Sequence, residues 1–215
     1  QNLGIIVNKL PEEFSGSGLL GNQWILTGTE SLFDLGISSI KKFETSELIQ
    51  NLGIYKTEKL SENQSIIATN NDKLILWESG KTTELKHLDA ITTVGKIYNL
   101  TVTKKGLIAV STYSKGILIL DASGKLINHL TNLPSQEIYM LKGWDDGFWV
   151  GFSNGLHYIS NSESIINYGV NAGKITDFIE FENKKYITSS TGLYENDKVV
   201  TGFNGVECWQ LAIDG

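Results

Sequence analysis

One pattern constrains this chain more than any other: a short meander of apolar strands that recurs about every forty residues. Its clearest copy is Leu133–Ser160 (LPSQEIYMLKGWDDGFWVGFSNGLHYIS). This stretch reads as a strand at Ile138–Leu141, a turn on Asp145, Asp146 and Gly147, a strand at Phe148–Gly151, a turn on Ser153, Asn154 and Gly155, and a strand at Leu156–Ile159. Asp-Gly and Asn-Gly are strong hairpin signals, because Gly and Asn tolerate the positive φ that tight turns between strands demand. With Trp149 as anchor, equivalent positions fall at Trp24, Ile66, Ile108 and Tyr186, spaced 42, 42, 41 and 37 residues apart.

Each anchor strand is followed by another, at Leu32–Asp34, Leu74–Trp77, Ile117–Leu120, Leu156–Ile159 and Leu193–Tyr194. Each is preceded by one at Ile54–Lys59, Ile97–Val102, Ile138–Leu141 and Thr176–Phe181, the first repeat being less clear. A fourth strand closes each unit at Ser38–Phe43, Thr82–Leu85, Lys125–Leu130, Ile165–Tyr168 and Val199–Phe203. Four strands per roughly 40-residue period is the signature of a β-propeller blade. A lone blade cannot bury both of its faces, so the copies must stack. The expected fold is therefore all-β, a β-propeller of four-stranded antiparallel blades. Its repeats run approximately 5–49, 50–93, 94–134, 135–173 and 174–205. Residues 206–215 (VECWQLAIDG) read as one further strand, expected to open another blade of a larger propeller of which these repeats are part, with closure on the first repeat as the alternative. No segment of helical period is evident, which argues against helical fold classes.

Two local features sit apart from the repeat. Gln1–Ile5 (QNLGI) recurs at Gln50–Ile54, at a blade junction. Between them, Pro11–Gly21 carries some extra length and Gly16-Ser17-Gly18-Leu19-Leu20-Gly21, a formal GxGxxG. A dinucleotide site needs a strand before that motif and a helix after it. Asn22–Thr27 follows, with strand composition, so a flexible loop is expected and no cofactor.

All eighteen basic residues are lysines, against 24 acidic residues, for a net charge of −6. Bidentate readout of phosphate or guanine favours arginine, which the chain lacks, so nucleic acid is not an expected partner. Lys41-Lys42, Lys104-Lys105 and Lys184-Lys185 fit solvated blade edges that discourage edge-to-edge pairing. No apolar run approaches the ~20 residues that span a bilayer, so direct membrane insertion is not expected. The opening QNLGIIVNKLPEEF lacks the basic and apolar regions of a signal peptide. Cys208 is the only cysteine, which rules out an intrachain disulfide.

Leu133-Pro134-Ser135, Asp146-Gly147, Trp149-Val150-Gly151 and Asn154-Gly155-Leu156 resemble the repeat of the two-component regulator propeller family, with Phe152 where that family has Thr. Ile187–Asp197 and Ile25–Phe33 are weaker copies. The resemblance implies a bacterial, extracytoplasmic or periplasmic propeller acting as the sensory part of a membrane-bound regulator. Related propellers are accessory parts of secretion systems of the type IX kind.

The search for chemistry favours binding over catalysis. His87, His129 and His157 lie in different repeats without metal-ligand spacing, and no GxSxG nucleophile elbow occurs. His157 is expected as a hydrogen-bonded packing residue. Asp145 and Asp146 should point apart and cap their turn. Trp24, Trp77, Trp144, Trp149 and Trp209 should mostly pack between blades, with Trp144 the most exposed. Trp144, Asp145 and Trp209 are the candidate ligand-binding residues; no catalytic or metal-ligating residue is expected. The leading reading is a non-catalytic sensor taking a small ligand or an envelope protein, with the remainder of the same polypeptide as a further partner. A rigid scaffold in a surface or secretion assembly is the second reading. A propeller glycosidase or lectin is the third.

Overall fold

A computed structural model describes residues 14–28, 32–35, 40–42, 49, 53–160, 165–169 and 172–212. Among the described residues, five four-stranded antiparallel sheets account for nearly all regular structure, and every strand stays with the strands of its own repeat. Sheet one holds β1 (Phe14–Leu20), β2 (Gln23–Gly28), β3 (Leu32–Leu35) and β4 (Ile40–Lys42). Sheet two holds β5 (Lys56–Ser61), β6 (Gln64–Ala68), β7 (Leu74–Glu78) and β8 (Lys81–Glu84). Sheet three holds β9 (Ile97–Val102), β10 (Ile108–Thr112), β11 (Ile117–Leu120) and β12 (Leu126–Leu130). Sheet four holds β13 (Ile138–Gly143), β14 (Gly147–Phe152), β15 (Gly155–Ser160) and β16 (Ile165–Asn167). Sheet five holds β17 (Ile175–Phe181), β18 (Lys184–Ser189), β19 (Gly192–Glu195) and β20 (Lys198–Val199). These are the blades that the period predicts.

By packing, the chain divides into two compact units, one of Gln1–Leu100 with Ala122–Gly124 and one of Thr101–Asp121 with Lys125–Gly215. The core of the first includes Leu20, Ile25, Ile49, Ile54, Ile67, Ile75 and Trp77. In the second, Ala109, Ile117, Ile119, Leu141, Phe148, Val150, Phe152 and Ile159 join sheets three and four. A separate cluster there, Met140, Trp149, Leu156, Ala172, Ile175, Phe178 and Ile187, joins sheets four and five. The central strands β10, β11 and β14 are buried on both faces, as continuous apolar runs require when each sheet is covered on both sides.

The same polar tie occurs twice, once from β5 to β9 and once from β13 to β17. Lys56 Nζ of β5 donates to Asn99 Oδ1 of β9 at 2.5 Å, and Lys142 Nζ of β13 reaches Asp177 Oδ1 of β17 at 3.1 Å. Asn99 and Asp177 are each the third residue of their strand, and each Oδ1 also accepts the next backbone amide, from Leu100 and Phe178. A lysine can bury its methylene stem along one sheet and deliver its head to the next.

Two expectations are corrected and one short element is added. The stretch Gly16–Gly21 is not a bulging loop: Gly16 to Leu20 belong to β1, pairing from Gly16↔Thr27 to Leu20↔Gln23. Its glycines serve close approach, because a Cβ on Gly18 would lie 2.0 Å from Thr57 Oγ1 and one on Gly21 would lie 2.4 Å from the Glu62 carbonyl oxygen. The added element is a two-turn helix α1 (Asp89–Gly95), which follows a 3-10 turn at Lys86–Leu88. Asp72 holds its exit, accepting the Ile97 amide at 2.7 Å and the Lys96 ammonium at 3.0 Å, while Lys73 is paired to Asp89. Two turns are too few for a 3.6-residue period to show in sequence.

The second correction concerns Val206–Ile213, which was expected to be a strand. Residues 206–212 carry no strand ladder. They are anchored to sheet five by Cys208 N donating to Ser189 O at 3.0 Å, Thr176 Oγ1 to Cys208 O at 2.6 Å and Leu211 N to Asp177 Oδ2 at 3.0 Å. An inner strand owes its ladder to the second strand of its own sheet, and among the described residues none pairs with it. The first QNLGI copy, residues 50–52 of the second, and residues 213–215 lie outside the described residues.

Candidate functional site

The turn between β13 and β14 brings two of the three expected ligand residues together. Trp144 N donates to Gly147 O at 2.9 Å, which closes the hairpin. Lys104 N, in the turn between β9 and β10, donates to Trp144 O at 3.0 Å. The side chains follow the same match: Lys104 Nζ lies 2.7 Å from Asp145 Oδ1, and Lys105 Nζ lies 3.4 Å from Asp146 Oδ2. The two acids therefore do point apart, each toward one lysine of the neighbouring turn. Lys104 and Lys105 do more than coat an edge.

Tyr158 OH donates to Asp146 Oδ1 at 2.9 Å. That hydrogen bond, with the Lys105 ammonium, holds the Asp146 carboxyl below the usual aspartate range. Burial, reinforced by Asp146, pushes the Tyr158 phenol up to about 12. Trp144 is half-buried instead of the most exposed tryptophan, since it packs edge-on against Phe178 at 6.1 Å with Lys104 Nζ 5.5 Å over its ring. The turn is an electrostatic clasp whose acids already have partners.

The third expected residue, Trp209, is 69% exposed on the segment that follows sheet five. No hydrogen bond or ring contact among the described residues joins it to Trp144 or Asp145. Trp24 is also exposed, whereas Trp77 and Trp149 pack in the core as expected. His157 is buried and edge-on to Phe152 at 5.1 Å, but its Nδ1 has no hydrogen-bond partner. Burial lowers its pKa. His129 Nε2 is bonded to the Lys115 carbonyl oxygen and His87 is exposed in the 3-10 turn. Among the described residues, no three His, Cys, Asp or Glu side chains group to hold a metal ion.

A concave site lies elsewhere, between sheets four and five. It is a cavity of about 190 Å³ lined by Leu156, Tyr168, Lys185, Ile187, Asn196 and Asp197. Leu156 and Ile187 are buried and form an apolar floor, while Asn196 and Asp197 are exposed at the rim. Asn196 has φ 58° in the turn between β19 and β20, and its Oδ1 accepts the Lys185 amide at 3.2 Å while its own N–H donates to Lys185 O at 2.6 Å.

The Lys185 ammonium sits 4.3 Å from the centre of the Tyr168 ring and 5.5 Å from that of Trp149. Trp149 in turn packs against Tyr168 at 4.6 Å, Tyr158 at 5.1 Å and Phe178 at 4.4 Å. Its Nε1 is buried without a hydrogen-bond partner. Sequence reasoning selected Trp149 only as a packing anchor and missed Tyr168, Lys185, Asn196 and Asp197. Lys184-Lys185 was the available signal: Lys184 pairs outward with Glu195 at 3.0 Å, so strand alternation sends its neighbour to the opposite face.

Neither a family model nor a curated relative matches the sequence. Solved structures do. One is the extracellular domain of the putative hybrid two-component system BT3049 from Bacteroides thetaiotaomicron, with TM-score 0.62 and 16% identity over 91% of this chain and 30% of that one. A catalytically inactive virginiamycin B lyase from Staphylococcus aureus with quinupristin gives TM-score 0.63 and 13% identity over 88% of this chain and 66% of that one. The WD40 β-propeller domain of Doa1 gives 0.57 and 14% over 85% and 62%. The chain spans less than a third of the length of the first. At these identities the similarity establishes the fold, β-propeller blades, and leaves activity open.

Proposed function

We propose that this chain is a non-catalytic, ligand-binding segment of an extracytoplasmic sensory propeller that feeds a bacterial signalling regulator. The observation that carries the reading is its structural similarity to the extracellular domain of a two-component system protein, together with the family-like Leu-Pro-Ser, Asp-Gly, Trp-Val-Gly and Asn-Gly-Leu sequence of repeat four. A sensor needs a seam whose packing a ligand can bias, and the ligand must bind two arrangements differently to shift them. The seam between sheets four and five, with its cavity, suits that role.

The test is cellular. Deleting the gene should alter a narrow set of transcripts, and the chain should be protease-accessible from the envelope side. Protection inside the cytoplasm, or unchanged transcription, would overturn the reading. A scaffold in a surface or secretion assembly is the second reading, favoured by Val199, Phe203, Val206 and Trp209, all 40% or more exposed within one short stretch. Unchanged transcription with lost export of surface proteins would select it.

A further inference from the structure

We propose that the cavity between sheets four and five binds a free α-amino acid with an aliphatic side chain, in its zwitterionic form. Lys185 takes the carboxylate, Asp197 takes the ammonium group, and the side chain lies on Leu156 and Ile187. The inference rests on the reading of this chain as a ligand-binding propeller and names the class of ligand.

Three observations lead to it. First, charge: among the described residues, no carboxylate lies within ion-pair distance of Lys185 Nζ and no cation lies within that distance of Asp197. Among the described residues of the same unit, Lys104, Lys105, Lys142 and Lys184 are ion-paired, whereas Lys115, Lys125, Lys174 and Lys198 are not, so what sets Lys185 apart is its place on the cavity wall. The cavity is thus lined by one unneutralised charge of each sign, which matches a ligand carrying one of each. Second, positioning: Lys185 is held against the rings of Tyr168 and Trp149. A cation held on aromatic faces is partly stripped of water and keeps its hydrogens free for an anion. The short backbone pairing with Asn196 keeps the start of β18 beside the turn that carries Asp197.

Third, size and lining. The volume is about 190 Å³, which suits a small molecule of about amino-acid size. That is below the ~300 Å³ at which drug-sized pockets begin. A buried apolar floor under a polar rim favours a ligand with one greasy end and one charged end. Leucine has that shape.

The experiment is titration calorimetry on the purified chain with L-leucine, N-acetyl-L-leucine and L-leucinamide. Leucine should bind saturably. Each charge-blocked analogue should bind at least tenfold more weakly, the acetylated one because it cannot pair with Asp197 and the amide because it cannot pair with Lys185. Lys185→Met and Asp197→Asn should each weaken leucine at least tenfold, while Lys81→Met, exposed on β8 in the other unit, leaves it unchanged. Asp197→Asn keeps the test decisive should Lys185→Met disturb the ring stack, because Asp197 is exposed and touches no core residue by hydrogen bond or ion pair. Absence of saturable binding at millimolar leucine, or equal affinity for the blocked analogues, overturns the proposal. Such a failure leaves the signalling reading standing, since transcription in cells decides that one. Intact leucine binding with unchanged transcription would strike the signalling reading alone.

Discussion

The seam between sheets one and two and the seam between sheets four and five solve the same packing problem with different side chains. The first is filled by Leu20, Ile25, Ile54, Ile67 and Ile75 around one tryptophan, Trp77, and it closes on glycines: Gly18 lets Thr57 approach, and Gly21 N donates to Ser65 Oγ at 2.8 Å. The second is aromatic, with Trp149 stacked among Tyr158, Tyr168 and Phe178, and includes a cation and an indole N–H that has no acceptor. Compact branched aliphatic side chains interdigitate and leave few gaps. Rigid rings set at preferred tilts leave space where their planes diverge. The difference teaches where a binding site can arise in a repeat protein: the seam that departs from plain aliphatic packing carries a cavity with a cation and a carboxylate on its wall.

The largest effect expected is at Trp149. Trp149→Ala should cost about 3–5 kcal/mol by denaturant titration, since it empties the centre of the aromatic seam. Trp149→Leu should cost more than Trp77→Leu, because each ring pair lost adds about 0.5–1.5 kcal/mol. Equal costs would erase the distinction between the seams. Next is Gly151→Ala. A Cβ there would lie 2.7 Å from both Cβ and the carbonyl oxygen of Ile175, an overpacking that should cost about 1–3 kcal/mol. Gly18→Ala meets a hydroxyl at the end of a short side chain, so adding Thr57→Ala should rescue it, whereas no single truncation moves the Ile175 backbone.

A pH effect should follow. His157 is buried with its pKa lowered from the ordinary 6.5, so the unfolded chain binds the proton more readily than the folded one. Its contribution to stability is fully present above pH 6.5 and is lost as pH falls from there toward its folded value. Melting temperature should drop across that window, and His157→Leu should flatten the drop. Tyr158 has the opposite sign. Its raised pKa, about 12, stabilises below the ordinary value of 10 and is lost as pH climbs through 12, so spectrophotometric titration should show a late-ionising tyrosine that Tyr158→Phe removes. Smallest of all is Lys104→Ala, which should change stability by no more than about 0.5 kcal/mol, because the side chains of Lys104 and Asp145 are 75% and 59% exposed.

The five-sheet layout was legible because its signals are local: Asp146-Gly147 and Asn154-Gly155 mark turns, and the apolar runs between them have strand length. β1 was hidden because Gly16, Gly18 and Gly21 read as flexibility, whereas two of them are needed by neighbours in sheet two. Helix α1 was hidden by its length. The cavity was not legible at all. Leu156, Tyr168, Lys185 and Asp197 are scattered along more than forty residues, and only the facing of two separate sheets brings them together. Trp144 and Asp145 were chosen for their side-chain chemistry, and the neighbouring turn with Lys104 and Lys105 had already satisfied it.

Ring-to-ring NOE spectroscopy across the aromatic seam addresses the packing of repeated sheets most directly. Cross-peaks from the Trp149 indole to Phe178 and Tyr168, together with peaks from the Gly151 Hα protons to Ile175, are the predicted result. A Trp149 indole whose cross-peaks stop within its own hairpin and exchange with solvent would contradict it, because sheets four and five would then not face one another.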